Sequence, residues 1–340
     1  MRDVFDHLAR ARLATLPTAL ERGPRLPGGG RLWVKRDDLT GLGGGGNKAR
    51  KLEFLCGAAE AEGAGALVTV GAGQSNHCRM TAAAAARLGI EAHLVLAGDA
   101  PATPQGNQLL AELFGAQLHY TGAEETHWGA LEIARERLTD ELSAQGLAPY
   151  SIPIGGSTAV GAVGYALAMF ELMEQCGNAG IDPVATVVTS SSGGTHAGLL
   201  AGRALLRAAG RNVPAVVAIG VAKGVAAGMP DVAALANEVI GLLRPTEDAI
   251  ASVVADDVVL DPRWIGEDYA VPTEAGDAAI RWAARAGGLL LDRTYSGKGM
   301  SGLLGLDAEG RFGDGDVVFV HTGGWPALFA DRGVPSAPLA

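Results

Sequence analysis

The sequence predicts an α/β protein of two lobes, in which parallel sheets are flanked by helices and a ligand binds in the cleft between the lobes. The first observation is length, because 340 residues suit two domains of roughly 150 residues each. The second is the alternation of short β-rich runs with longer helical segments, which is typical of right-handed βαβ units. The third is composition: 50 glycines are about twice the usual share and indicate tight turns and close backbone approaches.

The predicted elements alternate along the chain. Seven runs are predicted as strands: Arg31–Lys35, Ala66–Val70, Ala92–Leu96, Gln117–Tyr120, Thr186–Thr189, Ala215–Ile219 and Val317–Val320. Seven segments are predicted as helices: Lys48–Ala61, His77–Leu88, Asn107–Leu113, Trp128–Ala144, Ala159–Gln175, His196–Ala209 and Thr273–Ala286. The Gly/Pro-rich stretches Arg22–Gly30 and Val334–Ala340 are predicted as a surface loop and a loose tail. In this architecture ligands bind at the carboxyl ends of the parallel strands.

Charge and cysteine content restrict the partners and the compartment. The 27 Lys and Arg against 37 Asp and Glu give a net charge of −10, which argues against binding to nucleic acid or to anionic membranes. No stretch of 18 uninterrupted apolar residues occurs, so no membrane span is expected. The three cysteines, Cys56, Cys78 and Cys176, form no CxxC pair and indicate a reducing compartment. We therefore expect a cytoplasmic protein.

The first chemical motif is the glycine-rich stretch inside Lys35–Leu55. Gly41, Gly43 and Gly46 formally fit the G-x-G-x-x-G pattern of dinucleotide-binding proteins. A stretch so rich in glycine fits many patterns by chance, and no convincing ribose-binding acid ends a second strand. The stretch also departs from the Walker A rule for nucleotide phosphates. An NAD-dependent oxidoreductase remains an alternative at this point.

Lys48 follows the four-glycine run and lies at the start of a predicted helix. The positive end of a helix disfavours protonation of an amine, which helps it to act as a nucleophile or base. The alternative is that Lys48, Arg50 and Lys51 form a solvated basic turn. The local sequence leaves both interpretations open.

Two further strand–loop–helix motifs carry polar residues. In Val68–Gly89, four neighbouring polar residues follow a strand: Gln74, Ser75, Asn76 and His77. Ser75 and Asn76 suit a helix cap, and the free N–H groups of the same turn suit a carboxylate. In Val188–Gly202, the loop Ser192–Thr195 offers backbone N–H groups and two hydroxyls to a phosphate, although an ordinary capped turn has the same pattern.

Two motifs near the carboxyl end are less informative alone. Asp292–Leu303 and Val318–Phe329 each end in small residues before an apolar segment, so each could be only a connection. A phosphate loop combined with a lysine at a helix start, without a metal-ligand cluster, points to a phosphorylated cofactor that bonds to an amine. Pyridoxal phosphate meets both requirements. A non-catalytic carrier of that cofactor is a further alternative.

The motifs GGGNKARKLEFL, GQSNH, SGGTHAG, TYSGK and HTGG, in this order, resemble the family of 1-aminocyclopropane-1-carboxylate deaminase and D-cysteine desulfhydrase. The resemblance runs from about Leu13 to Phe329. It implies the tryptophan-synthase-β fold (pyridoxal-phosphate fold type II), with the cofactor in the cleft between the lobes. It also implies a large domain of residues 1–50 and 158–340, a small inserted domain of residues 51–157, and a homodimer.

The resemblance also implies the roles of individual residues. Lys48 matches the lysine that binds the cofactor covalently, and Asn76 matches the partner of the cofactor's ring hydroxyl. Ser75 matches a serine near the substrate's carboxylate and leaving group. The phosphate loop corresponds to Ser192, Gly193, Gly194 and Thr195, with Lys51 beside it. Two tyrosines match catalytic positions, Tyr295 and Tyr269. The substrate-binding set is Ser75, Asn76, His77, Gln74 and Trp325.

One departure from the family decides the expected substrate. The deaminase branch has a glutamate where this chain has Ser296, so the pyridine nitrogen would meet a neutral hydroxyl, from Ser296 or Thr322. Such a partner stabilises the pyridinium less and weakens the electron sink, which suffices to expel a good leaving group but disfavours ring opening. We therefore expect β-elimination from D-cysteine to pyruvate, hydrogen sulfide and ammonia.

Close alternatives remain within the same chemistry. L-Cysteate sulfo-lyase activity would expel sulfite, and β-chloroalanine or D-serine could also be the substrate; ring opening by a deaminase is the other branch. Trp325 stands where a smaller residue is expected, and it is predicted to reshape the pocket.

Overall fold

The computed structural model describes residues 2–228, 230–243 and 251–330. In these ranges it has ten strands: β1 Leu20–Arg25, β2 Arg31–Lys35, β3 Ala66–Gly71, β4 Glu91–Leu96, β5 Gln117–Tyr120, β6 Pro149–Ile152, β7 Ala185–Ser190, β8 Ala215–Gly220, β9 Val259–Asp261 and β10 Asp316–Val320. The α-helices there are α1 Lys48–Ala61, α2 Asn76–Leu88, α3 Gly106–Leu113, α4 Trp128–Ala144, α5 Ala159–Ala179, α6 Gly194–Ala208, α7 Lys223–Ala226, α8 Val232–Leu243, α9 Glu274–Gly287 and α10 Ser296–Ala308.

The strands form two sheets. The larger has the order β1-β2-β10-β7-β8-β9 and the smaller has the order β5-β4-β3-β6. The smaller sheet is parallel throughout, and in the larger sheet β1 pairs with β2 antiparallel while the other pairs are parallel. The predicted α/β class with helix-flanked parallel sheets is confirmed, apart from that antiparallel edge.

Helices cover both faces of the large sheet, so successive side chains of its strands are buried in two different cores. Val188 and Val318 point into a core built with α5, α6 and α8. Val187 and Phe319 point into the opposite core, built with α9 and α10. Successive side chains of a strand face opposite sides, so a strand buried on both sides is apolar at nearly every position. This is why the interior strands were recognisable from sequence.

The long apolar helix α5 lies in the core. Residues Ile154–Ala179 are long and apolar enough to cross a membrane by length and composition alone. The most apolar part of this segment is 72% buried inside the molecule, where α5 packs against α1, α6 and α8. Burial against other helices accounts for its apolar composition.

Three strands were missed, and all three are sheet edges. The predicted surface loop Arg22–Gly30 is wrong in its first part, because β1 continues to Arg25. Gly23 and Pro24 disguise this strand, and proline is tolerated at a sheet edge, where an N–H is not needed. The edges β6 and β9 are only four and three residues long. The predicted tail, Val334–Ala340, lies outside the described residues.

Three helices, the four-residue α7 and the longer α8 and α10, were also missed. Glycine recurs along α10 and lowers its helix propensity. The structure needs these glycines for close packing: a Cβ at Gly299 would lie 2.1 Å from Thr189 Oγ1, and one at Gly302 would lie 2.7 Å from Ile219 Cδ1. Tertiary packing therefore outweighs local propensity here. All four strands of the smaller sheet fall within the predicted insertion, residues 51–157, whose boundaries stay a prediction.

Candidate active site

A cavity of about 330 Å³ opens at the carboxyl ends of strands from both sheets. Loops after β3, β7 and β10 form much of its wall, as the parallel-sheet rule predicts. Of the predicted site residues, the following line the cavity: Lys48, Ser75, Asn76, His77, Ser192, Gly193, Thr195, Tyr269, Tyr295 and Thr322. Five others do not: Lys51, Gly194, Ser296, Gln74 and Trp325.

Lys48 is the first residue of α1 and follows a loop of left-handed glycines. The φ angles are positive at Gly41, Gly43, Gly44, Gly45 and Gly46. A side chain is strained at such angles, so the loop can turn sharply toward the cavity only because it is glycine. Burial lowers the pKa of the Lys48 amine to about 8, which leaves about a tenth of it neutral at pH 7.

Three side chains hold successive carbonyls of this glycine loop. Trp325 Nε1 donates to Gly44 O at 2.8 Å, and Arg79 Nη2 donates to Gly45 O at 2.8 Å. Thr40 Oγ1 donates to Gly46 O, also at 2.8 Å. Trp325 was predicted to bind substrate, but its indole N–H donates to the glycine loop, and the residue does not line the cavity.

The phosphate-type loop leads into α6, a helix of 15 residues. Gly193 is its N-cap with φ of +75°, and a Cβ at Gly194 would lie 2.6 Å from Lys51 Nζ and 2.8 Å from Ser157 Oγ. The same Cβ would lie 3.0 Å from the backbone Cα of Ser157, so glycine at this position lets the turn approach Lys51 and Ser157 without displacing them. Free N–H groups at a helix start favour an anion.

Lys51 lies behind this loop and is fully buried. Its Nζ donates to Gly155 O at 3.1 Å and to Ser157 Oγ at 3.2 Å, and both acceptors are neutral. Burial, followed by the charge of Lys48, lowers its pKa well below the usual range. An anion at the helix start would offset this cost, so the loop and Lys51 together fit a phosphate.

Two residues that join these parts were missed from the sequence. Asn47 Nδ2 donates to Thr195 Oγ1 at 3.0 Å and ties the lysine helix to the phosphate-type loop. Ser157 Oγ donates to Ser192 Oγ at 2.8 Å and accepts from Gly194 N at 3.3 Å. Asn47 stands directly before Lys48, which was the available signal, whereas nothing local distinguishes Ser157.

The start of α2 supplies the opposite wall. Ser75 is the helix N-cap, and its Oγ accepts from Cys78 N at 3.1 Å. The capping interpretation is therefore correct, and the bond to Cys78 N uses only an acceptor site of the hydroxyl. Capping and a role at the cavity are compatible in Ser75, because one hydroxyl can accept and donate at once.

His77 is held as a neutral ring. Thr69 Oγ1 donates to Ile152 O at 2.8 Å and so accepts from His77 Nε2 at 2.9 Å. Burial, followed by the charges of Lys48 and Lys51, lowers the pKa of His77 well below its usual value. The described residues offer no partner to its Nδ1.

Tyr269 and Tyr295 form a pair on a third side of the cavity. Their hydroxyl groups are in hydrogen-bond contact, and their rings meet edge to face with centroids 6.0 Å apart. Trp128, which was missed from the sequence, packs edge to face on Tyr269 at 5.0 Å. Burial raises the pKa of both phenols, so both carry their protons at neutral pH.

Asp292 fixes Tyr295 and explains the position of Ser296. Its carboxylate accepts the backbone N–H groups of Thr294, Tyr295 and Ser296 at 2.8 to 3.0 Å. Ser296 Oγ lies 2.6 Å from Asp292 Oδ1 and 3.0 Å from Gly323 O. The hydroxyl is committed to these acceptors and is fully buried, so of the two predicted ring partners only Thr322 lies on the cavity wall.

Gln74 also differs from its prediction. Its Oε1 accepts from Asn107 N at 2.8 Å, and its Nε2 donates to Gln105 O at 3.1 Å. The side chain thus bridges to the start of α3. It lines a second cavity, of about 250 Å³, which lies on the other side of the tyrosine pair.

Comparisons with known proteins agree with this geometry. The family described as "Pyridoxal-phosphate dependent enzyme" matches residues 11–323. D-cysteine desulfhydrase from Salmonella typhi is 41% identical over 332 residues, which cover 94% of this chain and 95% of the relative. A crystal structure of an ACC deaminase homologue superposes with a TM-score of 0.84 at 33% identity, covering 96% of this chain and 95% of that one. A fungal L-serine ammonia-lyase from Rhizomucor miehei has a TM-score of 0.63 at 18% identity, covering 92% and 94%, and shows the fold alone.

Proposed function

This chain belongs to the family of pyridoxal-phosphate-dependent enzymes, and from that premise we propose that it is a D-cysteine desulfhydrase, converting D-cysteine and water to pyruvate, hydrogen sulfide and ammonia. Family membership sets aside the NAD-dependent oxidoreductase and the non-catalytic carrier, and the cofactor is pyridoxal 5′-phosphate. The relative at 41% identity over nearly the whole chain supports the choice of substrate.

One observation carries the choice between elimination and ring opening. No Asp or Glu occurs among the described residues that line the cavity. The pyridine nitrogen would then meet a neutral hydroxyl, and Thr322 is the predicted partner that lines the cavity. Without a carboxylate to hold the nitrogen protonated, the cofactor is a weaker electron sink. Thiolate is a good leaving group and tolerates that weakness.

The residues present fit the cofactor. The phosphate would lie at the start of α6 beside Lys51, whose buried amine contacts only neutral acceptors. Lys48 would bind the cofactor covalently, and Asn76 would contact the ring hydroxyl. When bound, the cofactor draws electrons from the substrate's Cα and so acidifies its C–H bond.

The chain's own groups supply the proton transfers. The Lys48 amine, with a pKa near 8, can accept the Cα proton at neutral pH. The Tyr269–Tyr295 pair holds two phenolic protons for one mutual hydrogen bond, so one proton remains for the departing sulfur. The Ser75 hydroxyl proton is available to the substrate's carboxylate.

The test is a substrate screen on the purified enzyme, in which D-cysteine, L-cysteine, L-cysteate and 1-aminocyclopropane-1-carboxylate are assayed separately. We expect pyruvate and sulfide from D-cysteine at a kcat/KM at least a hundredfold above that for 2-oxobutanoate from the cyclopropane. Faster ring opening would overturn the proposal. If sulfite release from L-cysteate is faster than sulfide release from D-cysteine, the preferred substrate is L-cysteate and the enzyme is a sulfo-lyase.

We propose further that the enzyme is a cytoplasmic homodimer without nucleic-acid or membrane partners. The family resemblance supports the dimer, and the net charge of −10 supports the lack of polyanionic partners. The three cysteines are unpaired and buried, as in a reducing compartment. Size-exclusion chromatography of the holoenzyme with light-scattering detection should give about twice the mass of one chain.

A further inference from the structure

Asn107 lies outside the cavity but contacts a residue that lines it. Asn76 is the first residue of α2 and faces the cavity. Its Oδ1 accepts a hydrogen bond of 3.1 Å from Asn107 Nδ2. Asn107 is the second residue of α3 and is 2% exposed. The function proposed above assigns no role to it.

The direction of this hydrogen bond is fixed by the backbone. Asn107 Nδ2 also donates to the carbonyl oxygen of Gln74 at 2.9 Å, and a carbonyl can only accept. The NH2 group of Asn107 must therefore face both Gln74 O and Asn76. With the amide reversed, both contacts would join two oxygen atoms. Asn76 must consequently present its own oxygen to Asn107.

A second pair of hydrogen bonds prevents Asn107 from moving away. The backbone N–H of Asn107 donates to Gln74 Oε1 at 2.8 Å, and Gln74 Nε2 donates to Gln105 O at 3.1 Å. Backbone groups at both ends thus determine the orientation of the Gln74 amide. This explains why Gln74 stands beside the site residues in sequence without lining the active-site cavity.

We propose that Asn107 is a positioning residue that sets the polarity of the Asn76 amide. Because Asn76 Oδ1 is occupied by Asn107, the group left for a ligand is the Nδ2 donor. The proposal rests on the assignment of Asn76 to the cofactor's ring hydroxyl. A donor there stabilises the ionised oxygen, whereas an acceptor would favour the protonated hydroxyl.

Asn107→Asp tests this with almost no change in shape. A carboxylate cannot donate to Gln74 O or to Asn76, and it would accept from Asn76 Nδ2 and turn that amide over. The ring oxygen would then meet an oxygen atom. We expect the affinity of the apo-protein for pyridoxal phosphate to fall about tenfold or more, the scale of a lost hydrogen bond to a charged group. In the loaded protein without substrate, the visible absorption band should titrate at a higher pH.

Gln108→Glu is the matched control. Gln108 Oε1 accepts from Gln74 Nε2 at 3.1 Å, and a carboxylate can accept the same bond. This variant adds the same charge one residue away without reversing a donor. We expect its cofactor affinity within twofold of the parent and an unshifted absorption titration. An equal shift in both variants would mean that added charge, rather than amide polarity, causes the effect, and would overturn the proposal.

A double-variant cycle with Asn76→Ala separates positioning from a general structural role. In the Asn76→Ala background, Asn107→Asp should add no further spectral shift, because the amide that it reorients is gone. A shift that persists there, or an unshifted spectrum in folded Asn107→Asp, would contradict the proposal. If Asn107→Asp does not fold, Asn107→Ala must show a smaller shift in the same direction. None of these readouts needs a substrate, so a wrong choice of substrate would not affect them.

Discussion

Two turns of the same kind, one after β3 and one after β7, face each other across the cavity and are built differently. The turn after β7 presents backbone N–H groups at the start of α6, with glycine at Gly193 and Gly194 to allow close approach. The turn after β3 presents side chains, Ser75 to His77: Ser75 is held by Cys78 N within α2, whereas Asn76 and His77 are held by hydrogen bonds to other elements. Both patterns read as helix caps in sequence.

The difference suits the two ends of the ligand. A phosphate is an anion without a preferred face, so convergent backbone N–H groups suffice to bind it. The reacting end of the cofactor and the substrate need donors and acceptors at specific atoms, and only side chains supply both. Substitutions that add atoms should therefore damage the turn after β7, and those that remove side-chain atoms should damage the turn after β3.

The largest expected effect is at Lys48, which lies between the two turns. Lys48→Ala should abolish turnover and leave no cofactor that borohydride can fix to the protein, because the amine is the only proposed covalent attachment. Measurement is by absorbance and by mass after reduction. Lys223→Ala removes an exposed lysine and should leave both properties intact. A Lys48→Ala protein that still forms a reducible adduct at full occupancy would refute the assignment.

The second effect concerns side chains at the reacting end. Tyr295→Phe and Ser75→Ala should both keep the cofactor bound. With D-cysteine, Tyr295→Phe should slow the single-turnover rate by ~10² to 10⁴, the scale of a lost acid–base group. Ser75→Ala should slow the same rate at least about tenfold. Ser75→Ala should also cost about 1 kcal/mol of stability through the lost cap. Full activity combined with a lower melting temperature would make both residues structural only.

The third effect tests the backbone-built turn. Gly194→Ala places a methyl group 2.6 Å from Lys51 Nζ and should weaken cofactor binding by roughly tenfold to a hundredfold, which is about 1.4 to 2.8 kcal/mol. Gly177→Ala is the matched control, because its Cβ would meet nothing within 4 Å. Equal cofactor dissociation constants for the two variants would show that the turn after β7 tolerates added atoms.

The fourth prediction uses pH to test the Lys48 amine independently of the two turns. Because burial lowers the Lys48 pKa to about 8, its amine is mostly protonated below that pH, and only the neutral fraction can attack an aldehyde. Capture of pyridoxal phosphate by apo-protein should accelerate about tenfold per pH unit up to pH 8 and then level off. Pyridoxine 5′-phosphate lacks the aldehyde, so its binding should show no such rise. A pH-independent capture rate would contradict the lowered pKa.

The smallest effect is expected at Trp325. Trp325→Phe removes the N–H that binds Gly44 O and should cost about 1 kcal/mol, the value of one hydrogen bond. The melting temperature should fall slightly, while KM for D-cysteine should change less than twofold. A tenfold change in KM would restore the prediction that this residue shapes the substrate pocket.

The interior of the fold was predictable because burial leaves a mark on composition. Strands β3 and β7 are buried along their whole length and appear in sequence as uncharged runs rich in valine and threonine. The edges β1, β6 and β9 lack such runs, because a strand paired on one side need not be apolar throughout. Helix α10 escaped prediction since its glycines serve contacts with distant strands.

At the site, the sequence alone determined which residue types lie after which strands. It therefore identified Lys48, the loop Ser192–Thr195 and the polar group around Asn76, since the carboxyl ends of parallel strands meet at one edge. Only the tertiary structure decided which partner each hydroxyl and amide hydrogen-bonds to. Ser296 hydrogen-bonds to Asp292, Gln74 to the start of α3, and Trp325 to the glycine loop. Asn107 lies 31 positions from Asn76 in the chain and orients the Asn76 amide. Hydrogen-bond partners so far apart in the chain depend on how the elements pack, and no local pattern encodes that packing.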